Sequence, residues 1–62
     1  MKNEIIDLTT DCYKNLEKAE VLVDVLHENY LHEKNATVIL DIISANIKNA
    51  VKTLINIQDI VK

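Results

Sequence analysis

Apolar residues recur along this chain at steps of three and four, in two stretches whose phases mirror each other. The first stretch repeats every seven residues, with d-type positions Ile5, Cys12, Ala19 and Leu26 and a-type positions Thr9, Leu16, Val23 and Tyr30. The second has d-type Ala36, Ile43, Ala50 and Ile57 and a-type Leu40, Ile47, Leu54 and Val61. Steps of three and four place such residues on one side of an α-helix, so each stretch predicts an amphipathic helix. Folding the chain back on itself near Lys34–Asn35 brings the two ladders together rung for rung. Cys12 then faces Ile57, Leu16 faces Leu54, Ala19 faces Ala50, Val23 faces Ile47, Leu26 faces Ile43 and Tyr30 faces Leu40.

The expected elements are helix 1 over about 3–33, a turn at about 33–36 and helix 2 over about 36–61, making residues 1–62 a single all-α hairpin. Asn3 is the expected N-cap of helix 1, with Glu4 adding negative charge to its first turn. At His32-Glu33-Lys34-Asn35-Ala36-Thr37 the heptad phase slips by three residues. A stammer in one continuous helix produces such a slip, but a single long helix leaves both apolar stripes in water, so a reversal is expected. Asn35 is the expected left-handed residue closing helix 1, with Thr37 or Asn35 capping helix 2.

Helix 2 is apolar over more than one face. Val51 and Ile55 extend its stripe on one flank, and Ile39, Ile42, Ile57 and Ile60 extend it on the other. The resulting arc of roughly 200° is wider than the stripe of roughly 100° that one neighbouring helix covers. A lone hairpin therefore leaves apolar surface wet, at about 25 cal/mol per Å². A homodimer that closes two hairpins into a four-helix bundle of coiled-coil type is the simplest solution. The residues expected to form the association interface are Leu16, Ala19, Val23, Leu26, Ile39, Ile43, Ile47, Ala50, Leu54 and Ile57. A heterologous helical protein is the other partner this surface suits.

Composition sharpens these expectations. The 62 residues contain no Gly and no Pro, so nothing interrupts a helix and tight β-hairpin turns lack their preferred residue. At 48% apolar residues and a net charge of −3, the chain is too hydrophobic for a disordered tail. One cysteine excludes an internal disulfide and a cysteine-based zinc cage. The polar N-terminus lacks a signal-peptide core, and Asp41, Asn46, Lys48 and Lys52 interrupt the greasiest stretch before it reaches membrane-spanning length. The expectation is a cytoplasmic protein that does not enter a membrane.

Charge is uneven. Residues 1–34 hold eight acids and four lysines, and residues 35–62 hold two acids and three lysines, giving −4 against +1. Arginine, the preferred grip on phosphate and guanine, is absent. Lys48 and Lys52 share a face with Asp41 and Asp59, and Lys14 and Lys18 share one with Asp7 and Asp11. Nucleic-acid binding normally relies on a basic face. It is therefore disfavoured, and a small plasmid- or phage-type regulator is the second functional reading.

Chemistry-bearing clusters are few. Asp24-Val25-Leu26-His27 has the carboxylate–histidine spacing of di-iron bundles, with Glu20 one turn earlier. Such sites draw carboxylates from all four helices, and helix 2 offers only Asp41 and Asp59 on its outer side. Glu20 and His27 instead flank the seam, where a polar rim or a register-setting hydrogen bond to another subunit is expected. Cys12 is expected in the core as a small hydrophobe. Asn15 and Asn46 lie at the edges of their seams. No nucleophile–base pair can be assembled and no glycine-rich phosphate loop exists. No catalytic, cofactor or metal residues are assigned, and the chain is expected to be non-enzymatic.

The stretch Lys18-Ala19-Glu20-Val21-Leu22-Val23-Asp24, with Glu28-Asn29-Tyr30 and Asp41-Ile42-Ile43, resembles small uncharacterised two-helix proteins of bacterial mobile elements. The resemblance touches about half of the chain. It implies a hairpin and no known activity, so no functional residue is carried over.

Overall fold

In a computed structural model that describes residues 1–61, the chain is two antiparallel helices, α1 (Lys2–Asn29) and α2 (Lys34–Val61). There is no strand among the described residues. The expected hairpin is present, with shifted boundaries. The Met1 carbonyl accepts the first α1 bond from the Ile5 N–H at 3.0 Å, so Met1 is the N-cap and Asn3 lies inside the helix. At the other end α1 stops at Asn29, earlier than the expected residue 33.

The reversal uses no left-handed residue. Tyr30 leaves the helix at φ −111° and ψ 29° while its N–H still bonds the Leu26 carbonyl at 2.9 Å. The Glu33 N–H then bonds the Tyr30 carbonyl at 3.0 Å, tightening the corner. The Glu33 carbonyl accepts from the Thr37 N–H at 3.0 Å and so begins α2. Asn35 is therefore an interior residue of α2, and so is Thr37, whose hydroxyl donates back to the Lys34 carbonyl at 2.9 Å. A chain without glycine turns here through conformations open to any residue, which explains why Asn35 is not needed as a left-handed cap.

The core is small. Val23, Leu40 and Ile47 are each 8% exposed, with Leu16, Ala19 and Val51 packed against them. Thr9 completes the buried set. The Val23–Ile47 and Leu16–Leu54 levels of the expected ladder thus lie at the seam. Cys12 does not: it is exposed, and Leu26 and Ile43 are exposed as well.

Each helix is rotated so that its a-type positions turn inward and the positions four residues on share the flanking burial with the d-type ones. Ile6, Tyr13, Glu20 and His27 on α1 and Thr37, Ser44, Val51 and Gln58 on α2 are half-buried, as are d-type Ile5, Ala19, Ala36, Ala50 and Ile57. Polar chemistry favours this rotation. Buried Thr9 needs partners, and its hydroxyl donates to the Ile6 carbonyl at 3.0 Å and accepts from Gln58 Nε2 at 2.8 Å. The same Gln58 amide donates to the Thr10 hydroxyl at 3.0 Å. Cross-helix polar groups therefore meet on one side of the hairpin, and apolar side chains collect on the other.

The molecule is a single layer of two helices. Its backbone measures 47 × 15 × 10 Å, with a radius of gyration of 14.4 Å. A compact chain of this length has a radius of about 10–11 Å.

Candidate association surface

The two broad sides of the layer differ in character. On the first, His27 Nε2 lies 3.2 Å from Asp41 Oδ1, bridging the helices near the turn. The Gln58 bonds to Thr9 and Thr10 bridge them near the termini. His27 thus pairs within its own chain, where a contact to another subunit was also expected. Asp41 is 71% exposed, so the contact is solvent-screened. Glu20 and Ser44 lie half-buried on this side.

The second side is the more apolar. Its middle is formed by the d-type ladder, and the next row outward reads Leu8, Asn15, Leu22 and Asn29 on α1 and Ile39, Asn46, Thr53 and Ile60 on α2. The four apolar members of that row are more than half exposed. Leu26 and Ile43 stand beside them at 44% and 40% exposure. Two open grooves run between the helices on this side. One, of about 260 Å³, is lined by Leu26, Tyr30, Glu33, Ala36, Ile39 and Leu40 near the turn. The other, of about 450 Å³, is lined by Cys12, Asn15, Leu16, Ala50, Thr53 and Leu54. Both are floored by alanine, since the small side chains of Ala36 and Ala50 leave the inter-helix valley unfilled. A third concavity, among Lys14, Glu17, Lys18, Glu20, Val21 and Asp24, lies on α1 alone. It is a depression between side chains of one helix surface.

The ten residues expected at an association interface divide accordingly. Val23 and Ile47 are spent inside the hairpin. Leu16, Ala19, Ala50, Leu54 and Ile57 are half-buried at the seam. Leu26, Ile39 and Ile43 remain on the open apolar side. Leu8 and Leu22 extend the surface and were absent from the expected interface. The signal that finds them is their seven-residue relation to Asn15 and Asn29, one step outside the d ladder.

No group of three or more His, Cys, Asp or Glu side chains converges in a metal-binding arrangement among the described residues. No described helix is long and apolar enough to cross a membrane. Lys48 lies one helical heptad from Asp41, and Lys52 one heptad from Asp59, so each of these two lysines shares its row of α2 with a carboxylate. Comparison of the chain with protein families, curated proteins and solved structures finds no match.

Proposed function

We propose that this chain is a non-enzymatic interaction module that works by self-association, its hairpin being one half of a four-helix bundle. The apolar side of the layer carries this reading. The chain exposes 4969 Å², whereas a compact 7.1 kDa monomer exposes about 4,100 Å². The excess of about 900 Å² matches the roughly 800 Å² that each partner contributes to a stable protein–protein interface. Leu8, Leu22, Leu26, Ile39, Ile43 and Ile60 stand exposed along one side of the layer. Large exposed apolar patches on small proteins mark interaction sites. A second layer would also supply what folded domains ordinarily have, two packed layers around one core.

Light scattering on the chromatographed protein tests the reading. The expected mass is twice the 7.1 kDa of the chain at micromolar concentration. A fully helical species of one chain's mass would refute it.

A further inference from the structure

Resting on that self-association, we infer that the d-type ladder closes between two copies and not within one. α1 of each hairpin lies on α2 of its partner, and the two turns lie at the same end of the bundle. Two like faces stacked with two-fold symmetry can be arranged in only two ways. With the axis along the helices, each α1 covers the partner's α2 and the turns coincide. With the axis across them, α1 covers α1, α2 covers α2 and the turns lie at opposite ends.

Level residues within the hairpin are marked by its cross-helix bonds. Index sums are 67 and 68 for the Gln58 bonds to Thr9 and Thr10 and 68 for His27–Asp41. Turns at the same end carry this relation across the interface. Leu26 then meets Ile43 of the partner subunit and Cys12 meets Ile57 of the partner subunit. These are rungs whose α1 members the single hairpin leaves exposed. Ala19 meets Ala50 of the partner subunit, small against small.

The outer flank discriminates further. Along α1 it carries Asp11, Lys18 and Val25, and along α2 it carries Ile42, Asn49 and Asn56. Val25 and Ile42 are 49% and 57% exposed, with no apolar neighbour on their own rows. Turns at the same end set Val25 against Ile42 of the partner subunit, Lys18 against its Asn49 and Asp11 against its Asn56. The opposite arrangement sets Val25 against an acid of the other α1, Glu4 or Asp11, and Ile42 against Asn56. Charge agrees. α1 carries a net −4 and α2 a net +1, so α1 on α1 repels where α1 on α2 attracts.

A spin-label distance measurement on the full chain, carrying Cys12→Ser and His32→Cys, reads the orientation directly, because His32 is exposed in the turn. Turns at one end give a label separation within about 20 Å, two helix spacings. A separation near the 47 Å length of the hairpin overturns the proposed orientation and leaves self-association standing. A single-chain mass overturns the reading beneath it. The face is tested by two adjacent residues of matched exposure, Leu22 at 64% and Val21 at 61%. Leu22→Glu is expected to abolish the two-chain mass while Val21→Glu, pointing away, retains it. Retention of the dimer by Leu22→Glu overturns the assigned face.

Discussion

Thr9 and Gln58 show how a single polar contact selects which way the helices turn. A threonine at an a-type position is a poor core residue unless its hydroxyl is bonded, and Gln58 reaches it from 49 residues away in sequence. Their bond is part-buried, so its loss leaves an acceptor short of a partner, whereas the His27–Asp41 pair is bathed in solvent. Buried and exposed polar contacts differ in worth for that reason: a net 0.5–1.5 kcal/mol for the former and about 0–1 for the latter. Gln58→Ala is therefore expected to destabilise the protein by about 1 kcal/mol. Asp41→Asn is expected to change stability by less than about 0.5 kcal/mol. Urea unfolding of both variants at one fixed protein concentration checks this, since association shifts apparent stability. Equal costs for the two would show that Thr9–Gln58 has no greater part than the solvent-exposed pair in fixing the rotation. None of this was legible in the sequence, where Gln58 is one polar residue among several and only the register of the fold brings it to Thr9.

At the scale of elements, periodicity named both helices and the reversal between them, because apolar spacing is a property of the helix itself. The corner was harder to place. His32-Glu33-Lys34-Asn35 is uniformly polar, and no glycine or proline marks where the helix stops, so the capping residues expected there are interior to α2. The structure identifies Glu33 as the residue whose carbonyl opens α2, and α2 has no acidic residue in its first turn. Glutamate is not among the residues favoured at that position; aspartate and serine are. Glu33→Asp is therefore expected to stabilise the protein by up to about 1 kcal/mol. That corresponds to a rise in melting temperature of roughly 4–8 °C for a chain of this size. A circular-dichroism melt reads it, and an unchanged or lowered midpoint would show that the corner is not limited by capping. The phase of the seam was also only half legible. A strict a/d reading treats both flanks alike, and it placed Cys12 inside. Tyr13, Glu20 and Gln58 make the flanks unequal, and unequal flanks rotate helices.

For the whole molecule, shape decides what the parts mean. A layer 10 Å thick has no interior beyond one line of side chains, and Val23, Leu40 and Ile47 are its only buried apolar residues among those described. Full burial of such a side chain contributes about 1.5–3 kcal/mol, while ordering each residue's backbone costs about 1–2 kcal/mol. Most helical stability in proteins comes from the packing of an apolar face, and α2 is rich in isoleucine, which favours helix less than leucine does. In the proposed dimer the second layer would supply much of the stability, and folding and association would then be a single equilibrium. Dilution is therefore expected to lower helical ellipticity and mass together, and the melting temperature should rise with protein concentration. Ile47→Asp, which buries an unpaired charge in the line of core side chains, is expected to abolish both signals at every micromolar concentration. Helicity that persists unchanged while the mass falls to one chain would show that the hairpin stands alone, and the apolar side would then be a docking face rather than half of a core.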